Sequence, residues 1–278
     1  MLKYLFGLFK SSQNLNADFW SHADELRRRL LISALFVLIF SIIAFFFKDF
    51  IFNKILLGQT QDSFITYKAL CYLSRFFPDL NLCIHGVNNF QLINTEVGGQ
   101  FRYHLMLSIV SGIIISVPFI LNQLWAFIKP SLHINELIIA RKFIFFLSLL
   151  FFIGIAFGYF IISPITLNFL LNYELSSFVK NMISISSFVS TITMLTFSMG
   201  IVFELPALIF FLTKMGIISP TLLIKGRKFA IIIIFIVAGF ITPSTDMFSQ
   251  MLVGLPIILL YEMGIIISKK TNLRNSNK

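Results

Sequence analysis

The sequence predicts an all-α, polytopic membrane protein with six transmembrane helices, the last two short, and with both termini in the cytoplasm. Three observations predict it. Of the 278 residues, 57% are hydrophobic and only 12% are charged, about half the charged share of a soluble domain. The apolar residues gather into six runs, several reaching the roughly 20 residues needed to cross a bilayer core about 30 Å thick. The Lys and Arg residues crowd onto alternate connections between those runs.

The first stretch, Tyr4 to Phe9, is apolar and flanked by Lys3 and Lys10. It falls short of the roughly 7–15 residues of a cleavable signal core, so no signal peptide is expected; an interfacial amphipathic piece is open to it, and the segment is too short to decide. The spans then follow in order: Leu30 to Phe47, Leu105 to Ile128, Phe143 to Ile162, Phe188 to Leu212, Phe229 to Ile241, and Met251 to Ile267, the last with Pro256 and Glu262 inside it. At about 1.5 Å per residue the fifth run extends only about 20 Å. The last two helices are therefore expected to form a short hairpin that thins the bilayer or dips partly through it.

A net charge of +10 invites a nucleic-acid reading, but its distribution argues against one. With the N-terminus inside, the inner segments hold Lys3, Lys10, Arg27–Arg29, Lys129, Arg141, Lys142, Lys214, Lys225, Arg227, Lys228, Lys269, Lys270, Arg274 and Lys278. The outer ones hold only Lys48, Lys54, Lys68, Arg75, Arg102 and Lys180. This is the positive-inside pattern, so the charge reports topology and implies no nucleic-acid partner.

The outer segment from Lys48 to His104 turns polar, as in Gly86-Val87-Asn88-Asn89, and reads as a surface loop with one short helix around Ile65 to Phe77. Cys71 and Cys83 fall in it, on the oxidising side; the residues leave a disulfide and two free thiols both open. His22, His85, His104 and His133 are scattered over both sides, so no metal site and no cofactor are expected. Gly154-Ile155-Ala156-Phe157-Gly158 places small residues four apart in the third span, a helix-packing pattern. Ser163-Pro164 is expected to end or kink that span.

Glu204, in Phe203-Glu204-Leu205-Pro206, lies inside the fourth apolar run. A carboxylate at membrane depth costs about 2.5–3.5 kcal/mol or more to insert. It is either a packing acid matched to a neighbouring group or, as intramembrane acids generally are, part of the function. Pro206 disturbs the helix at the same level by removing a backbone donor.

Two strings flank the first two spans on the cytoplasmic side. Ser21-His22-Ala23-Asp24-Glu25-Leu26-Arg27-Arg28-Arg29 precedes the first. Ser21 and Asp24 stand at capping-box spacing and suggest a helix start, and Glu25 lies one turn from both Arg28 and Arg29, the distance of a surface ion pair. Gln123-Leu124-Trp125-Ala126-Phe127 leaves the second span and leads to Glu136, with Trp125 and Phe127 suited to an interfacial belt. Two carboxylates near the inner membrane surface, Glu25 and Glu136, can also hold a cation, most naturally guanidinium groups.

These strings resemble the TatC family, the multispanning core of the twin-arginine protein translocase. The resemblance is carried by His22, Glu25, Leu26 and Arg27; by Pro118, Gln123, Trp125 and Phe127; by Phe203, Glu204 and Pro206; by Thr242, Pro243, Asp246, Ser249 and Gln250; and by Leu260, Tyr261 and Glu262, in order over about residues 20 to 268. The chain departs from the family at Ser131, His133 and Leu137, and in a turn, Thr242-Pro243-Ser244-Thr245-Asp246, one residue longer than usual. The resemblance implies a single membrane domain over residues 1–278: a cytoplasmic segment 1–29, a six-helix core 30–268 and a basic tail 269–278. It implies Sec-independent export of folded proteins from a bacterial cytoplasmic membrane, driven by the proton-motive force. Glu25 and Glu136, with Arg27 and His22, would bind the twin-arginine signal peptide. Glu204 would be an intramembrane functional acid. Pro118, Gln123, Trp125, Phe127, Pro206, Thr242, Pro243, Asp246 and Gln250 would serve structure or partner contacts. Single-span TatA/TatB-type subunits and further copies of the chain would be the partners.

The sequence has no Gly-Lys-Ser/Thr phosphate loop, no His-Glu-x-x-His and no Gly-x-Ser-x-Gly, so no enzyme is expected. A proton-coupled small-solute transporter is the alternative that would also use a mid-membrane acid, but it would more typically show inverted repeats.

Overall fold

Unbroken apolar runs with few helix breakers leave the backbone one way to satisfy itself in lipid, which is to bond within each segment. A computed structural model describes the backbone of residues 2–76, 83–87, 91–128, 137–173, 182–242 and 246–276, and the side chains of 23–76, 83–87, 91–127, 143–173, 182–242 and 246–272. The helices are α1 (Leu2–Phe46), α2 (Ile65–Ser74), α3 (Gly99–Ile128), α4 (Leu137–Phe157), α5 (Ser163–Asn172), α6 (Ile185–Val202), α7 (Leu205–Lys214), α8 (Pro220–Lys225), α9 (Arg227–Ile241) and α10 (Met247–Ser276). Among the described residues, five stretches are long and apolar enough to cross a membrane: Ala23–Phe46, Gly99–Phe127, Phe143–Asn172, Ile185–Lys214 and Met247–Asn272.

Several expectations change. Ser21 does not start a helix, because α1 runs continuously from Leu2. α9 is short as expected, with 15 residues. α10 is not; it has 30 residues and continues past its apolar run into the basic tail. The outer segment holds more than one helix. Besides α2 at the expected place, a wide helical turn spans Phe50–Leu56, a tight one spans Leu57–Thr60, and β1 (Leu92–Ile93) pairs in parallel with β2 (Ile183–Ser184) just before α6. Cys71 and Cys83 are joined as a disulfide.

Ser163-Pro164 does not end the third span. A wide turn over Gly158–Ile162 leads directly into α5, and Ser163 N–H reaches back to the Gly158 carbonyl. Two carbonyls are thereby left over. Tyr159 O loses Ser163 as its donor, and Phe160 O loses its donor because Pro164 has no N–H. The outer segment supplies both replacements: Gln59 Nε2 donates to Tyr159 O at 3.2 Å, and Thr66 Oγ1 donates to Phe160 O. Ser163 Oγ in turn donates to Gln59 Oε1 at 2.7 Å, and Tyr159 Oη to Ile55 O at 2.8 Å.

Small residues bring the spans together. A Cβ on Gly154 would lie 2.6 Å from the Met199 carbonyl, and one on Gly158 would lie 2.9 Å from Met199 Cβ, so the small-residue pattern of α4 is the seam on which α6 crosses. The pairs Gly154–Met199 and Gly158–Thr196 make that crossing antiparallel. Leu195, Met199, Ala238, Val253 and Ile257 form the driest part of the core, where α6, α9 and α10 meet. The outward faces remain apolar and exposed, with Leu35, Leu38, Phe229, Ile233 and Phe240 all uncovered, as lipid-facing helices require.

Candidate functional site: two carboxylates and the helix ends around them

α1 and α3 pack antiparallel. Phe36 stacks on Phe119 with ring centroids 4.7 Å apart, and His104 stacks on Phe45 at 4.1 Å. This packing brings the Arg27–Arg29 stretch in the middle of α1 beside the Gln123–Phe127 end of α3. There Arg29 donates to Glu25 Oε1 from both Nη2 at 2.7 Å and Nε at 3.1 Å, and its Nη1 donates to Gln123 Oε1 at 3.3 Å. Glu25 and Arg29 are half-buried, while Arg27 and Arg28 are exposed. Arg27, Arg28 and Asp24 line a shallow hollow with Leu31, Ile32 and Leu35. Of the two arginines one turn from Glu25, only Arg29 forms an ion pair with it among the described residues.

On the same end, Trp125 packs against Phe143 and Phe211, with centroids 6.0 and 6.2 Å away. The ring therefore buttresses α4 and α7. Pro118 lies inside α3, and Phe127 is half-buried near its end. Glu136, Pro243 and the side chain of His22 lie outside the described residues.

Glu204 sits at the break between α6 and α7. Pro206 occupies the first turn of α7, where its missing N–H costs nothing. Phe203 N–H still bonds Met199 O, Glu204 N–H bonds only three residues back to Ile201 O, and Glu204 O receives Leu208 N–H. The helix is thus interrupted at the carboxylate. Both carboxylate oxygens are shut off from solvent, and neither has a hydrogen-bond partner among the described residues. Among the described residues no hydroxyl or basic group bonds it. The neighbouring Phe203 ring instead leans on Phe157 at 5.3 Å.

The last hairpin is held by polar contacts that the motifs supply. Asp246 caps α10 by accepting from Ser249 N–H at 3.1–3.2 Å. Gln250 Nε2 donates to Phe235 O at 2.7 Å, and Thr242 Oγ1 to Ala238 O at 3.1 Å. Arg227 pairs with Glu262 at 2.7 Å, and Tyr261 Oη donates to Leu223 O at 2.9 Å. These residues position helices and need no further role to explain their presence. Sequence reasoning missed Gln59 and Thr66; the one signal for them was Pro164, whose place within a span demands acceptors' partners from elsewhere.

Residues 21–256 match the family model described as Sec-independent protein translocase protein (TatC). The chain is similar to the TatC protein of Blattabacterium sp. subsp. Periplaneta americana, 37% identical over 90% of this chain and 94% of that one. It is likewise similar to the TatC protein of Helicobacter pylori strain 26695, 36% identical over 92% and 88% of the two chains. A crystal structure described as the twin arginine translocase receptor TatC superposes with a TM-score of 0.68 at 30% identity, covering 90% of this chain and 99% of that one. A second, in the detergent DDM, gives 0.70 at 32% identity over 89% and 99%. With its apolar spans and bacterial relatives, the chain is a multi-pass protein of the bacterial inner membrane and a transport component. It belongs to the TatC family of Sec-independent protein translocase proteins.

Proposed function

We propose that the chain recognises twin-arginine signal peptides at the cytoplasmic ends of its first spans and nucleates the complex that exports folded proteins, driven by the proton-motive force. The observation that carries this reading is the half-buried Glu25 carboxylate, whose Oε1 already takes two bonds from a guanidinium group. An acid built to accept a planar fork favours arginine over lysine, because an ammonium cannot make that contact. In this reading Glu136 supplies the second acid, and Arg27 and His22 assist in binding. Glu204, at a helix break and with no hydrogen-bond partner among the described residues, acts later, when single-span TatA/TatB-type subunits and further copies of the chain assemble. Residues 1–278 form one membrane domain with both termini cytoplasmic, and the chain performs no enzymatic step.

The test is titration of a twin-arginine signal peptide against the unaltered protein, Glu25→Ala and Glu136→Ala. A charge-assisted hydrogen bond contributes about 1.5–3 kcal/mol, and exposed pairs contribute less. Loss of one acid should therefore weaken binding by about tenfold. Unchanged binding in both variants would show that recognition lies elsewhere.

A further inference from the structure

The site contains an arginine of its own. Arg29 directs both Nη2 and Nε at one oxygen of Glu25, Oε1; among the described residues Oε2 accepts no bond. The third nitrogen, Nη1, is tied to Gln123 Oε1 on the neighbouring helix. Arg29 thus stands between two acceptors on different helices, one charged and one neutral. Arg28, three residues from Glu25, makes no ion pair among the described residues, while Arg29, four residues on, does.

We infer that Arg29 is an internal competitor, which occupies Glu25 in the resting protein and sets the threshold that an incoming signal peptide must exceed. The inference rests on the reading of Glu25 as a recognition acid. A guest arginine replaces the Arg29 fork at Oε1 with an equivalent fork, and Arg29 keeps its bond to Gln123 Oε1 when displaced, so the exchange leaves no guanidinium without an acceptor. A guest lysine offers a point charge in place of a planar fork and cannot match what it displaces. Competition therefore sharpens the preference for arginine beyond what Glu25 alone would give. The competitor's hold is modest, because Arg29 and Glu25 side chains are 26% and 35% exposed, and half-exposed pairs shift equilibria by only about two- to fivefold.

The experiment uses the full-length protein in nanodiscs, titrated with a twin-arginine signal peptide and with the same peptide carrying two lysines. Arg29→Gln removes the competitor. It should bind both peptides about threefold tighter, with the larger gain for the lysine peptide, so that discrimination shrinks. Arg28→Gln removes the same charge without touching Glu25 and should bind as the parent does. Equal tightening in Arg28→Gln would reduce the effect to bulk charge and overturn the inference. Unchanged or weaker binding by Arg29→Gln would overturn it too, the weaker case making Arg29 a positioning residue for Glu25. Glu25→Gln separates the two levels of the argument. If it binds as the parent does, the recognition reading itself falls; if it loses binding while Arg29→Gln gains nothing, only the competitor falls.

Discussion

Gln59, in the outer segment, donates to the carbonyl of Tyr159 inside the third span at 3.2 Å, and is itself fully buried. The wide turn before Pro164 frees that carbonyl, and a loop residue 100 positions away satisfies it. The outer segment is therefore bound into the membrane core and not merely laid over it.

Gln59→Leu should destabilise the protein by about 1–3 kcal/mol, the cost of leaving a buried acceptor unmet. Thermal unfolding in detergent measures this. Ser63→Ala, in the same segment but exposed, should change little.

The Tyr67 hydroxyl donates to Pro164 O at 3.3 Å, and burial pushes its pKa up to about 12. The raised value means that the folded state holds the proton more tightly than the unfolded one. This contribution to stability is complete below pH 10 and is lost as pH rises toward 12. Tyr67→Phe should flatten that part of the pH–stability curve, as followed by unfolding between pH 9 and 12.

Gly154→Leu should separate α4 from α6, since even a Cβ there would meet the Met199 carbonyl at 2.6 Å. We expect loss of folded protein in the membrane, read as a collapse of the monodisperse peak on size-exclusion chromatography. Gly58→Ala, where a Cβ meets nothing within 4 Å, should be tolerated.

Glu204→Gln keeps the shape of the side chain and removes its charge. It should insert normally, retain signal-peptide binding and lose most export, scored by the periplasmic fraction of a twin-arginine reporter. Unimpaired export would reduce Glu204 to a tolerated residue at a helix break.

Reporter fusions after Lys278 and within Arg141-Lys142 should read cytoplasmic, and fusions near Asn88 external. An external C-terminus would contradict the charge asymmetry on which both cytoplasmic termini rest.

The sequence by itself determined the membrane class, the helical content and the family, because hydropathy runs, charge placement and short motifs are local properties. It also marked Glu204 as unusual, since an acid in an apolar run is visible without coordinates, and it identified the Gly154/Gly158 seam, since spacing four residues apart defines a helix face. The tertiary structure decided what each of these meets. That Arg29, already paired with Glu25 on its own helix, also reaches Gln123 depends on how α1 packs against α3. That Pro164 kinks nothing apart depends on Gln59 and Thr66, donors far away in sequence. That α10 continues past its apolar run goes with contacts to α7, such as Thr213 to Ser268 at 2.8 Å. Local pattern fixes which segments become helices and which faces are apolar; which polar groups find each other across those faces is a property of the packed whole.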